Sequence, residues 1–382
     1  MFDAFARNLN ILITHRCPQN SPVLPREPSY MANHRIAVIA GDGIGPEVID
    51  QAIRGVDAAG AKHGATFEWT RLPWGSEFYK KTGHILPADG WETLKKYDAI
   101  FFGAIGSPDV PDTVTVHELL LPMRRKFDQY VNLRPAYLFD GVTSPLRDKA
   151  PGSIDMHVYR ENTEGEYAPI GGKLYEGTPA ETAIQTSVFT RRGCERIIRA
   201  AFEAARKRKK KLTSITKSNA LVYGMTLWDE VAKAVAKEYP DVQMSSLLVD
   251  AAAMDFVRKP EVFDVVVASN LFGDILTDLS AMVTGSVGLA SSANINPERT
   301  FPSMFEPVHG SAPDIAGKGI ANPLAAVLSA ALMMDHLKEP ATAESLRNAV
   351  KLVLGEKRAM SPDLGGKATT VQVGDAVMAA VA

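Results

Sequence analysis

The sequence predicts an α/β fold with a largely parallel sheet, on three observations. Short apolar runs alternate with longer amphipathic stretches of helical period from Ile36 onward, the pattern of strands joined by crossover helices. At 382 residues, 46% hydrophobic and 23% charged, the chain can bury a large core, and a length prior of about 150 residues per domain admits two to three domains. No internal repeat, low-complexity tract or Gly/Ser linker marks a boundary, so two domains would be joined by ordinary strands crossing more than once.

In chain order, IAVIA (36–40) reads as a strand, GDGIGPE (41–47) as a tight turn, and VIDQAIRGVDAAGAKHG (48–64) as the helix it feeds. Further strands are AIFFGAIG (99–106), IDMHVYR (154–160), LTSIT (212–216), SSLLVD (245–250) and FDVVVASN (263–270). CERIIRAAFEAARKRK (194–209) and LWDEVAKAVAKEYP (227–240) are the helices between them. Residues 1–30 hold four prolines between Pro18 and Pro28 and only the short apolar piece ILI (11–13). That is too little for a secretory signal. We read 1–30 as a disordered leader, with a weak transit peptide as the alternative, and Met31 as the start of the folded chain.

Composition narrows the function. Forty-two basic against 44 acidic side chains give a net charge of −2, poor footing for a nucleic-acid binder. No apolar run approaches the roughly 18 residues that cross a bilayer. Two cysteines, Cys17 and Cys194, cannot build a disulfide scaffold and fit a reducing, cytoplasmic setting. The run RKRKKK (206–211) reads as a helix C-terminus, where cations suit the dipole, rather than as a nucleic-acid patch.

Several motifs carry chemistry. GDGIGPE has the spacing G-x-G-x-G, not the G-x-G-x-x-G of a dinucleotide fingerprint, and a strand-to-helix turn accounts for it equally well. LLPMRRKFDQYVNLRP (120–135) sets Arg124 and Arg134 ten residues apart, and RENTEGEY (160–167) adds Arg160 and Tyr167. Three guanidinium forks suit a multiply charged anion, whereas Arg125, Arg191 and Arg192 look like surface residues. GDILTD (273–278) puts Asp274 and Asp278 on one helical face, and Asp250 closes an apolar strand. Three aspartates suit Mg²⁺ or Mn²⁺ better than Zn²⁺. Lys217 follows a strand in a polar loop, where a lysine with a lowered pKa serves as a base. EPVHGSAPDIAGKGIANP (306–323) reads as a long loop ahead of an apolar helix; it lacks the lysine of a triphosphate cradle.

In this order and spacing the blocks resemble the metal-dependent β-decarboxylating hydroxyacid dehydrogenases, the isocitrate/isopropylmalate dehydrogenase family, from about Arg35 to the C-terminus. NLFGDILTDL (270–279) and the 306–323 block are the most specific. The resemblance implies an isopropylmalate-dehydrogenase-like two-domain fold, not a Rossmann fold. Its large cofactor domain is discontinuous (31–129 and 283–382), and a small domain (130–282) carries the metal ligands and dimer interface. It implies that Arg124, Arg134 and Arg160 clamp substrate carboxylates. Asp274 and Asp278 would bind the metal, with Asp250 and the base Lys217 supplied across a homodimer interface, and Tyr167 would protonate the enol. Glu306, His309, Gly310, Ser311, Ala312, Asp314 and Asn322 would hold the cofactor's adenosine half. The GDGIGPE turn would lie near the nicotinamide. Asp314 can accept from a ribose hydroxyl and would repel a 2′-phosphate, which favours NAD over NADP. Mn²⁺ or Mg²⁺ is the implied metal, and a monovalent cation such as K⁺ is compatible.

FDQYVNLRP, RENTEGEY and VFTRRG (188–193) look most like the tartrate and D-malate branch, which implies a small hydroxy dicarboxylate as substrate. The residue seven before the first clamp arginine is His117, followed by Leu120 and Leu121. Isopropylmalate enzymes tend to carry glutamate at that position and D-malate enzymes an aromatic residue. 3-Isopropylmalate is therefore the second expectation and isocitrate the least favoured.

Overall fold

The apolar run at Ile36 becomes β1 (Asn33–Gly41), and the glycine-rich turn feeds helix α1 (Gly45–His63) with Pro46 in its first turn. Proline is at home there because that position has no intrahelical N–H bond to lose. The computed structural model describes residues 33–381, which form part of one compact unit; the leader expected over 1–30 lies outside the described residues. Next come β2 (Thr66–Arg71), α2 (Ser76–Thr82), α3 (Gly90–Leu94) and β3 (Ala99–Ala104). After α4 (Asp112–Val114), a π-helical turn (Thr115–Leu120) and α5 (Leu121–Lys126) lead into β4 (Val131–Tyr137) and β5 (Asp155–Glu161). A hairpin of β6 (Gly171–Leu174) and β7 (Thr182–Gln185) precedes α6 (Arg191–Arg206), β8 (Lys211–Thr216), α7 (Gly224–Ala236) and β9 (Gln243–Leu248). The chain continues through α8 (Val249–Arg258), β10 (Val265–Ala268), α9 (Asn270–Val283), β11 (Ser291–Ile295) and β12 (Ser303–Pro307). It closes with α10 (Leu324–His336), α11 (Pro340–Gly355) and α12 (Thr370–Val381).

Ten strands form one sheet in the order β2-β1-β3-β12-β11-β4-β5-β10-β8-β9. Pairing is parallel except where β11 meets β12 and β4, and where β4 meets β5. Both faces are covered, which is why the parallel strands read as unbroken apolar runs. Ile36 and Val38 of β1 pack under α1 and the C-terminal helices, while Ala37 and Ile39 pack with Trp74, Ile85 and Phe102 on the other face.

The three antiparallel pairings involve strands that the apolar pattern misses. β4, β11 and β12 carry buried polar residues that hydrogen-bond to one another. The Asn132 amide donates to Ser292 Oγ (2.9 Å) and Asn294 Oδ1 (3.0 Å), and the Asn294 amide donates to Glu306 Oε1 (2.8 Å). Hydrogen-bonded polar side chains are tolerated in a core, but they break the run that marks a strand. Two expectations need correcting. β9 ends at Leu248, so Asp250 lies in the first turn of α8, where a carboxylate faces the positive end of the helix dipole. The 306–323 block is not all loop, because Glu306 and Pro307 end β12.

The run at 206–211 ends α6. Arg206 pairs with Asp241 (2.9 Å), Arg208 with Asp155 and Asp264 (2.8 Å each), and Lys209 with Asp155 (3.4 Å). No helix among the described residues is long and apolar enough to cross a membrane.

Two histidines give the fold a pH dependence. Burial, reinforced by Arg208, pushes His157 on β5 down to about 4, and burial with Arg299 does the same to His336. The unfolded chain, with histidines near 6.5, binds more protons between these values. Stability is therefore full above about pH 6.5 and falls toward pH 4, by up to about 3 kcal/mol for each histidine. Urea denaturation at pH 7, 5.5 and 4.5 should show the decline, and His157→Gln should flatten it; an unaltered slope in that variant contradicts the assignment.

Candidate active site

Arg134 on β4 and Arg160 on β5 share one face of the sheet, because Arg134 pairs with Val158 and Arg160 lies two residues beyond it. Helix α9 crosses that face at close range. A Cβ at Gly273 would stand 2.7 Å from Arg160 Cβ, so the helix reaches the arginine stem only with glycine there. The next residue, Asp274, is the meeting point. Its Oδ1 accepts from Arg160 Nη1 (2.5 Å) and Arg134 Nη1 (3.2 Å), and its Oδ2 accepts from the Tyr167 hydroxyl (2.7 Å). Arg160 is further fixed by Asn270 Oδ1, which accepts from its Nε and Nη2 (3.1 and 2.7 Å), and Arg134 by Thr277 Oγ1 (2.7 Å). Asp278, one turn beyond Asp274, stands 3.8 Å from Arg134 with its side chain mostly exposed.

The charges shape one another. Burial works to raise the Asp274 pKa, but Arg160, Arg134 and the Tyr167 hydrogen bond outweigh it and hold the carboxyl below its usual range. Asp278 moves up instead: partial loss of water against the neighbouring protein and the charge of Asp274 together outweigh Arg134. Burial, then the Asp274 carboxylate, pushes the Tyr167 hydroxyl up to about 12, so it keeps its proton at neutral pH. Burial and the neighbouring Arg134 lower Arg160, which Asp274 partly offsets.

Arg134, Arg160, Tyr167 and Asp274 line a cavity of about 730 Å³, and Asp278 lies outside its lining; the volume is within the usual span for small-molecule sites. One wall is the segment through α5. Val116, Leu120 and Arg124 form one row at spacings of four, and His117, Leu121 and Arg125 form the next; all six line the cavity. Arg125 is therefore not a plain surface residue. Its half-buried guanidinium has a lowered pKa, caused by burial. Arg124 is buried against Glu306 (2.9 Å). Nε of Arg124 and Nε of Arg134 are buried with no acceptor, two donors left for an anion that the described protein groups do not supply.

The glycine-rich turn and the 308–323 loop are tied together. Ile44 N–H donates to Ser311 O (2.9 Å) and Gly317 N–H to Glu47 Oε1 (2.7 Å). Gly43, at φ 57°, passes so close that a Cβ would stand 2.0 Å from Ser311 O. His309 and Gly310 reach the cavity, and His309 Nε2 is buried without a partner among the described residues. Ser311, Ala312 and the exposed Asp314 continue away from it along the loop, while Asn322 is buried and bonded to Asp363 (3.0 Å) and Leu324 N–H (3.0 Å). Glu306 sits beneath Arg124 on β12, not on the loop. These groups fit a dinucleotide: a close-packed glycine turn, an orphaned imidazole nitrogen and a free carboxylate.

Lys217 and Asp250 do not line this cavity. They pair with each other (3.0 Å), and Lys217 with the backbone at the helix start holds Asp250 below its usual range. Among the described residues no cluster of three or more metal-ligating side chains forms. Asp274 and Asp278 offer two hard oxygen donors one turn apart, which fits half of a Mg²⁺ or Mn²⁺ site.

Sequence reasoning missed Glu166, which also lines the cavity; nothing in the sequence signals its partners. The Arg124–Glu306 pair yields a stability prediction. Glu306→Ala leaves a guanidinium buried without a counter-charge, and urea denaturation should show a loss of about 3–5 kcal/mol. A loss below about 1 kcal/mol would mean that the pair is not buried as described.

Comparison with known proteins agrees with this geometry. The family description "Isocitrate/isopropylmalate dehydrogenase" matches residues 35–377. A D-malate dehydrogenase [decarboxylating] of Escherichia coli (strain K12) is 51% identical over 91% of this chain and 98% of that enzyme. A probable tartrate dehydrogenase/decarboxylase of Agrobacterium vitis is 50% identical over 92% of this chain and 99% of its own length. A 3-isopropylmalate dehydrogenase of Thermobifida fusca (strain YX) is 50% identical over 91% and 98%. The crystal structure of isocitrate dehydrogenase from Methylococcus capsulatus superposes with a TM-score of 0.82 at 37% identity, covering 91% of this chain and 99% of that one. The chain is an oxidoreductase that belongs to the isocitrate/isopropylmalate dehydrogenase family.

Proposed function

We propose that this enzyme oxidises and β-decarboxylates a small 2-hydroxy dicarboxylate of the D-malate or tartrate type, using NAD and Mn²⁺ or Mg²⁺. The observation that carries the reading is the convergence of Arg134, Arg160 and Tyr167 on Asp274 beside Arg124. When bound, the dinucleotide supplies the two-electron acceptor, and the divalent ion, held by Asp274 and Asp278, supplies the positive charge that favours enolate formation. The three clamp arginines orient the carboxylates, and each charge-assisted bond contributes about 1.5–3 kcal/mol. Tyr167, protonated at neutral pH, gives its hydroxyl proton to the enol carbon once CO₂ has left.

The substrate hydroxyl needs a base, and Lys217 lies outside the cavity of its own chain. We assign that role to Lys217 of a second copy, with Asp250 beside it as the third metal ligand. Exposed apolar side chains support a homodimer. Leu221, Val222 and Tyr223 follow Lys217, while Met254 and Val257 on α8 and Ile275 and Met282 on α9 are also exposed. Such surfaces mark contact sites. We further propose the two-domain division at 129/130 and 282/283: the first five strands in the sheet order come from residues 33–104 and 291–307, the other five from 131–268. A cytoplasmic location fits the buried free thiol of Cys194.

3-Isopropylmalate is the second reading, favoured by Leu120 and Leu121 in the cavity wall. Assays of NADH formation with D-malate, L-tartrate, 3-isopropylmalate and isocitrate, with Mn²⁺ present, decide between them. D-malate or L-tartrate should give the highest kcat/KM, EDTA should abolish turnover, and Asp274→Asn should lower kcat at least about 100-fold with the fold intact. A highest kcat/KM for 3-isopropylmalate selects the second reading, and EDTA-insensitive activity defeats both.

A further inference from the structure

We propose that Glu166 is a positioning residue for the proton transfer that follows decarboxylation, holding the Tyr167 loop against the helix that bears Asp274. The inference rests on the reading above, in which Tyr167 is the acid. Glu166 immediately precedes Tyr167, and among the described residues it forms no ion pair with the cavity arginines. Its Oε1 accepts from the Ser269 hydroxyl (2.7 Å) and its Oε2 from the Leu271 N–H (3.0 Å). Ser269 is the residue before α9 and makes no cap of its own to that helix. The first turn of a helix leaves N–H groups unpaired at its positive end, so a carboxylate is well suited to take one. From the same loop, the carbonyl of Glu164 accepts from Asn270 Nδ2 (3.0 Å).

Residues 164–166 are thus fastened to residues 269–271 by three hydrogen bonds. One turn further along the helix, Tyr167 meets Asp274 at 2.7 Å. The hydroxyl of Tyr167 is therefore located by a frame in which Glu166 is the charged member. In the step concerned, the bond between C3 and C4 of the keto acid breaks and CO₂ departs. The electron pair forms the C2–C3 double bond of an enolate. C3 then takes the Tyr167 proton as the carbonyl re-forms, and water reprotonates the phenolate. Displacement of the donor by about 1 Å costs on the order of 100-fold in such a transfer. The oxidation step does not use Tyr167 and is spared.

The test compares wild type, Glu166→Gln and Ser269→Ala by hydrogen–deuterium exchange and by release of unprotonated enol during turnover of D-malate and L-tartrate with NAD and Mn²⁺. Exchange in segments 164–168 and 270–275 should rise in Glu166→Gln and, less strongly, in Ser269→Ala. Enol should leave the site before C3 is protonated, so a transient enol, followed by its ultraviolet absorbance as it converts to the keto form in solution, should accompany NADH formation in the variants, whereas wild type releases the keto product directly. KM should stay within about threefold while protonation of C3 on the enzyme falls about 10- to 100-fold. Unchanged exchange at 164–168, or no released enol with activity falling only in step with thermal stability, overturns the proposal. If wild type acts on neither acid, the substrate reading fails by itself, and the exchange measurement still decides the brace.

Discussion

The site depends on one carboxylate surrounded by groups that all need it. Asp274 accepts from two buried guanidiniums and a tyrosine hydroxyl. Without it, Arg134 and Arg160 would be neighbouring cations in a low-dielectric setting, which is costly. The fold supplies the geometry in three parts. Adjacent strands set the arginines on one face, Gly273 lets α9 lie against the Arg160 stem, and the loop after β5 brings Tyr167 to the other oxygen. Because the arginines lower the Asp274 pKa, the carboxylate stays ionised and can act as an oxygen donor.

A second constraint runs along the seam of the sheet. Asn132, Asn162 and Asn294 share hydrogen bonds among β4, the end of β5 and β11, and Asn294 hands the chain on to Glu306, the counter-charge of Arg124. The polar network that fixes the antiparallel strands therefore also fixes Arg124. The net charge of −2 conceals this: the balance is struck locally, arginine against carboxylate, inside one cavity.

Much of this was legible in the sequence, and what was not has a physical reason. Unbroken apolar runs marked β1, β3 and β10, whose two faces are both covered. The spacing of Asp274 and Asp278 placed them on one helical face, and α9 carries them so. β11 and β12 were missed because Ser292, Asn294 and Glu306 are buried through long-range partners that local pattern cannot show. Arg125 looked like a surface residue because sequence does not say that α5 turns two rows, not one, toward the cavity. SSLLVD reads as a strand through Asp250, since it carries no helix-start signal strong enough to end the apolar run at Leu248. Lys217 and Asp250 lie apart from the cavity and pair with each other, a separation that sequence spacing does not show.

The most direct test of the central claim, that each cavity is completed by Lys217 from a second copy, is subunit complementation. Lys217→Ala and Asp274→Asn would each be prepared, shown to be inactive, then mixed, dissociated and reassociated. Shared sites predict that mixed dimers carry one intact cavity, with about one quarter of wild-type activity recovered at equal proportions, as random pairing requires. Mixed dimers that form but remain inactive would contradict the account.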